Sequence, residues 1–284
     1  MSDAMPTGHI RVERDGPVGL LTIDRPERFN SMDVETARDF RKAGLQLARD
    51  RDVRCVIVRG TNGIFCSGAD LKYIRARGSQ EDFGYLRPDG AAAPPGFGEG
   101  FKEILEYLHS AISEIKRAPK PFIAAVDGVA AAGGFGIAMA CDLVFASDDA
   151  TFEWAYHKTG LTGAESSTFF LPRLLGLRTA MGLVFLNPRL TAAKALDLGL
   201  VNDVFPAGEF GARVRDIAQR IAAGPTGSYA VAKSLINQAA GVDQLDYHLD
   251  EELRHLARSA DGRDFAEGLD AFFAKRPASF GGGG

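Results

Sequence analysis

The chain has 284 residues, of which 45% are hydrophobic and 25% charged, a globular composition that allows one large domain or two small ones around a sizeable core. A formal charge of −4 and a pI near 5.8 exclude a general basic field for holding a nucleic-acid backbone. Cys55, Cys66 and Cys141 show neither CxxC nor paired spacing, so no disulfide framework or zinc site is expected and a reducing cytoplasm fits; no run approaches the roughly 18 apolar residues of a membrane span, and the N-terminus has no basic start before an apolar stretch.

Strands and helices alternate along the first two thirds. His9 to Glu13 and Gly19 to Ile23 flank DGPV and predict a hairpin, followed by the polar loop DRPERFNSMD. Asp33 is placed to cap a helix running to about Asp50. Val53 to Arg59, Phe122 to Val126 and Leu143 to Ala146 have the β-branched or apolar runs of buried strands. Phe101, Ile104, Leu105, Leu108, Ile112 and Ile115 fall at helical spacing, giving an amphipathic helix that stops before Pro119. Between them Arg77 to Gly100 is a long loop of small and breaking residues, of the kind that is a functional lid or a disordered segment. TFEWAYH predicts a strand with Phe152, Trp154 and Tyr156 on one face and Glu153 and His157, read as structural, on the other. From about Glu209 helices dominate, ending in an apolar stripe of Phe265, Leu269, Phe272 and Phe273 before a glycine tail. The expected organisation is a mixed α/β section over residues 1–206 and a helical section over 207–284.

Two loops are chemically alike. One buried strand, VRCVIVR, is read as running into GTNGIFCSGADLK, and another, FIAAV, into DGVAAAGGFG, each through a glycine-containing turn that opens a helix. Backbone N–H groups are free at such helix starts. Two of them converging on one point make an oxyanion hole, each donor worth roughly 2.7–4 kcal/mol to a transition state that develops charge on a carbonyl oxygen. The alternatives are glycines that only allow close helix–sheet packing, and a dinucleotide loop. The latter fails because Met139 stands at the last glycine position of GxGxxG and no ribose-binding acid follows at the required distance.

Five blocks in order resemble the crotonase (enoyl-CoA hydratase/isomerase) superfamily: TIDRPERFNSMD, FCSGADLK, PKPFIAAVDGVAAAGG with the following ACDL, LTAAKALDLGLVNDVFP, and AFFAKRP. The resemblance implies a crotonase-type spiral of ββα turns, a helical C-terminal section that builds homotrimers or hexamers, and acyl-CoA thioester substrates. Coenzyme A would then enter as part of the substrate, with no permanently bound cofactor or metal. By position the oxyanion amides belong to Ala69 and Gly133. Arg28, Phe29, Ser67, Asp70, Leu71 and Lys72 are implied CoA contacts, with Arg28 and Lys72 suited to phosphates. Phe272 and Lys275 match a C-terminal segment that contacts CoA, although Lys275 reads equally as a solvated terminal charge.

The resemblance also directs attention to the acids. Hydratases of the family carry a glutamate three residues after the second oxyanion glycine, where this chain has Gly136, and another where it has Tyr156, a poor base with a reference pKa of about 10. Hydration needs both a base and an acid, so ordinary hydratase chemistry is not expected. Isomerases and some dehalogenases place a carboxylate at the position of Ala164, and Glu165 follows immediately. Glu165 is the expected base, against the alternative of an exposed or helix-capping acid. His109 matches a histidine of the chlorobenzoyl-CoA dehalogenases, which this region also resembles, and is a second candidate beside Tyr156. The leading expectation is an enoyl-CoA isomerase. The others are a hydratase with nonstandard residues, a thioester, C–C or aryl-halide hydrolase with His109 activating water in some of these, and a CoA-binding homologue without catalysis. Cys66 reads as a buried small side chain. Phe83, Tyr85 and Phe97 suggest a bulky or aromatic acyl chain.

Overall fold

The computed structural model describes residues 8–83 and 96–281. Tyr85 and half of the expected lid loop therefore lie outside the described residues. The hairpin forms as β1 (Ile10–Asp15) and β2 (Val18–Ile23), paired antiparallel. After a 3-10 turn at Pro26–Arg28 comes α1 (Val34–Arg49), whose first turn is capped by the Asp33 carboxylate accepting from the Thr36 N–H. Then follow β3 (Cys55–Gly60), β4 (Ile64–Cys66), α2 (Leu71–Arg75), α3 (Gln80–Phe83) and the long α4 (Phe97–Arg117). The next unit is β5 (Phe122–Val126), β6 (Val129–Ala131) and α5 (Gly133–Ala140). It is succeeded by β7 (Leu143–Ser147), β8 (Thr151–Glu153), α6 (Ser167–Leu175), α7 (Leu177–Leu186), β9 (Leu190–Thr191), α8 (Ala192–Asp197) and β10 (Asp203–Phe205). Four helices close the chain: α9 (Ala207–Ala223), α10 (Thr226–Ala239), α11 (Leu245–Ala260) and α12 (Arg263–Ala274).

The strands form two sheets. A six-stranded sheet has the order β1-β2-β3-β5-β7-β10, parallel apart from the β1–β2 hairpin, and a four-stranded sheet has the order β4-β6-β8-β9. Successive ββα units thus send one strand to each sheet, and the register β4–β6–β8 stacks their second strands in parallel. This corrects one expectation. Neither glycine loop runs directly from the buried strand into its helix; β4 and β6, three residues each, intervene.

Side-chain alternation divides the core. Val56 and Val58 of β3 and Ala124 and Val126 of β5 face the main core with α1 and α4, while Cys55, Ile57, Ile123 and Ala125 face α9 through Phe210, Val214, Ala218 and Ala222. The helix α4 packs against both α1 and α11. Phe83 is buried in the main core and Phe97 meets Phe265 edge-on at 5.3 Å, so both serve packing and neither lines the cavity described below. The expected TFEWAYH strand ends at Glu153, because Ala155 adopts a left-handed φ of 63° with its N–H held by Asn187 Oδ1 at 2.7 Å, and Tyr156 opens a 3-10 turn.

Candidate active site

The two glycine turns meet. Gly68, at φ +92°, lies so close to the second turn that a Cβ there would come within 3.0 Å of the Gly133 nitrogen and 2.8 Å of the Ala132 Cβ. Met32 bridges to Ala69 in parallel register, its N–H donating to Gly68 O and its carbonyl accepting from Asp70 N, both at 2.8 Å. Parallel pairing of that kind turns the N–H of Ala69 itself to the opposite side of the strand. Gly133 is the first residue of α5, where the helix supplies no acceptor for its N–H. Ala132 before it is a non-glycine residue at φ 46° and ψ −118°, a conformation costing about 1–3 kcal/mol and held by its N–H bond to Glu153 O.

Ala69, Ala132, Gly133, Tyr156 and Glu165 all line one cavity of about 390 Å³. Its apolar wall includes Phe101, Leu161, Leu256 and Phe273, brought from α4, the loop before α6, α11 and α12. Phe29, Ser67, Leu71, Lys72 and Phe272 line it as well. Lys275 does not; it ends α12 in a left-handed conformation, exposed and outside the cavity.

Arg28 and Asp70 line the cavity too, as an ion pair. Arg28 gives two nitrogens to the Asp70 carboxylate, and buried Arg25 bridges Asp70 at 3.0 Å and Asp33 at 2.5 Å. Asp70 also accepts from Lys72 N and Tyr73 N at the start of α2. Burial raises and the two guanidiniums lower its carboxyl, with a net displacement below the ordinary range. Both residues border the cavity, and their charges pair with each other, fixing the RPERFN loop to the first glycine turn.

Glu165 is buried, not an exposed helix acid. Desolvation pushes its carboxyl up to about 8, against the lowering effect of the Tyr156 hydroxyl that donates to Oε2. Its Oε1 would be 2.7 Å from a Cβ at Gly133, which sets that carboxylate oxygen beside the second glycine turn. Gly136 leaves the space this arrangement needs: a Cβ there would fall 2.4 Å from the Glu165 carbonyl oxygen and 2.8 Å from its Cβ. Any side chain at position 136 is therefore incompatible with this path of the chain through residue 165.

His109 stands behind the acid rather than in the cavity. Its Nε2 accepts the Glu165 backbone N–H at 3.2 Å, and burial drives its pKa down to about 3, leaving a neutral ring. With that lone pair occupied and the ring shielded, it is not placed to activate water. Glu153 does line the cavity, but it pairs with Lys158, Asn187 and Arg189, which hold it below the usual carboxylate range despite burial. Burial pushes the Cys66 thiol up to about 12, so it is no nucleophile. Among the described residues no cluster of metal-ligating side chains occurs, and no helix is long and apolar enough to cross a membrane.

Sequence reasoning missed Leu161, Leu256, Lys158 and, behind the site, Glu252 of α11. Glu252 is buried and accepts the N–H groups of Ser166 and Thr168 at 2.8 and 3.0 Å. The available signal was its place on the apolar stripe Leu245, Leu249, Leu256 and Ala260.

Two sheets built from ββα units, with two such units turning their helix starts into one cavity, define the class of crotonase folds. The chain belongs to the enoyl-CoA hydratase/isomerase family, whose profile matches residues 13–89 and 99–283. It is 31% identical to 4-chlorobenzoyl coenzyme A dehalogenase-2 of an Arthrobacter species, over 95% of this chain and 92% of that one. It is 32% identical to 1,2-epoxyphenylacetyl-CoA isomerase of Escherichia coli K12, over 93% and 94%. An enoyl-CoA hydratase crystal structure from Mycobacterium avium subsp. paratuberculosis K-10 superposes with a TM-score of 0.83 at 31% identity, covering 97% of this chain and 99% of that one.

Proposed function

We propose that this family member is an enoyl-CoA isomerase, in which the amides of Ala69 and Gly133 hold the thioester oxygen while Glu165 carries one proton from Cα to Cγ. One observation bears most of the weight: of the carboxylates lining the cavity, Asp70 and Glu153 are tied up in ion pairs with lowered pKa values and Glu27 is exposed, whereas Glu165 is buried beside the oxyanion turns with a pKa near the working pH. A single carboxylate suffices for a 1,3-proton shift. It takes the α-proton as a base, the two amides stabilise the dienolate oxygen, and the same group returns the proton at Cγ. Tyr156 donates to Oε2 and leaves Oε1 for this exchange. Phe29, Ser67, Leu71, Lys72 and Phe272 would follow the CoA moiety outward, and the chain would assemble as a homotrimer or a hexamer.

An aryl acyl group is a second reading. It is favoured by the two relatives whose names carry chlorobenzoyl and phenylacetyl groups, and by the aromatic wall of Phe101, Tyr156 and Phe273. The test screens aliphatic and aryl CoA esters in deuterated and oxygen-18 water. Glu165→Gln should lower turnover and α-proton exchange about 10²–10⁴-fold. The wild-type kcat/KM should rise with pH through about 8 as the carboxylate ionises. Full turnover by Glu165→Gln rejects the assignment, and oxygen-18 in the product replaces isomerisation by hydration or hydrolysis.

A further inference from the structure

The turn bearing Glu165 is held from outside the cavity. Glu165 and Ser166 are consecutive non-glycine residues at φ 48° and 65°. Each such conformation costs about 1–3 kcal/mol and persists only where the surroundings impose it. Two side chains do so. His109 Nε2 takes the Glu165 N–H at 3.2 Å, and Glu252 takes the Ser166 N–H at 2.8 Å, the Thr168 N–H at 3.0 Å and the Thr168 hydroxyl. These acceptors lie 3.9 Å apart, so two successive amides converge on one pair of side chains. Ser166 makes no side-chain cap for α6, so the helix start is satisfied by an acid from a different element.

We propose that Glu252 is a positioning residue for proton transfer: from α11 it locks the Ser166–Thr168 turn so that the Glu165 carboxylate faces the oxyanion amides, and it places a like charge behind that carboxylate. The proposal rests on the reading of Glu165 as the proton carrier. The groups facing this pair are His109 of α4, Tyr156 of the 3-10 turn, Cys66 of β4 and His248 one turn earlier on α11. Near pH 7 burial favours the neutral form of all four. Glu252 itself is raised to about 6 by burial and is therefore mainly ionised at that pH, and its charge adds to the upward displacement of Glu165.

The test uses the full chain with two variants. Glu252→Ala removes both the anchor and the charge, and should lower kcat about 100-fold, the scale of a catalytic group displaced by about 1 Å, with KM unchanged. Glu252→Gln keeps an acceptor and loses the charge, so the kcat/KM limb near pH 8 should move to lower pH. Support requires both results, with thermal melting confirming folded protein; an unmoved limb in Glu252→Gln overturns the proposal, as does wild-type kcat in Glu252→Ala. Should Glu252→Ala not fold, the limb in Glu252→Gln decides alone. Full turnover in Glu165→Gln is a separate result and strikes the reading of Glu165 instead.

Discussion

Gly136 and Glu165 show how one position constrains another. A methyl at 136 would press on backbone atoms of residue 165, which cannot swing aside as a flexible side chain would. Gly136→Ala should therefore destabilise by about 1–3 kcal/mol, the usual cost of overpacking, and should lower kcat by turning the carboxylate out of line. Denaturant titration and steady-state kinetics check both effects. Glu165 carries a stability cost of its own. Its carboxyl moves from an ordinary 4.5 to about 8 on folding, so between those pH values the native state holds a proton that the unfolded chain has released. The contribution is fully present below 4.5 and is lost as pH rises through 8. At about 1.4 kcal/mol per unit, Glu165→Gln should gain on the wild type by up to about 5 kcal/mol between pH 4.5 and 8.5. Equilibrium unfolding at the two pH values measures this, and an equal difference at both would show that Glu165 is not buried as an acid.

Whole elements were legible in the sequence where they were long or capped. The amphipathic period of α4, the Asp33 cap of α1 and the apolar runs of β3, β5 and β7 survive in the structure with ends shifted by a few residues. The strands β4, β6 and β9 span only two or three residues, too short for an alternating pattern to show, whereas β8 was visible in the alternation of TFEWAYH but stops after three residues. The turns carrying Ala69 and Gly133 were visible because glycine marks a close backbone approach. His109 and Glu252 were not readable as a pair, because their partnership joins α4 to α11 across well over a hundred residues of chain. A similar long-range knot fixes α10. Lys116 of α4 and Lys233 of α10 both reach Asp142, at 3.2 and 2.7 Å, and Asp142 also accepts the Phe122 N–H at 2.9 Å. Asp142→Ala would strand two largely buried ammonium groups. A loss of about 3–5 kcal/mol in denaturant unfolding is expected, against little change if the knot were merely superficial.

At the scale of the whole molecule, two helices away from the cavity leave a surface unfinished. Leu177, Met181 and Phe185 recur every four residues along α7, opposite the buried Ala180 and Leu183, and they are exposed; Phe185 is 72% accessible. On α10, which has no buried residue, Val231, Leu235 and Ile236 are exposed as well. Two helices carrying such stripes have the pattern of surfaces covered by another chain, since monomers seldom display large contiguous apolar patches. On the assembly proposed above, the covering chains are further copies of this one. Sedimentation equilibrium should then give a mass about three times 30.4 kDa, or about six times if trimers pair. Phe185→Glu combined with Ile236→Glu should shift the population toward monomer, because a carboxylate buried without a partner costs several kcal/mol at each copy of the interface. A wild-type protein that sediments at 30.4 kDa at micromolar concentration would separate this apolar surface from self-association and leave the acid, the two turns and the Glu252 anchor to function within one chain.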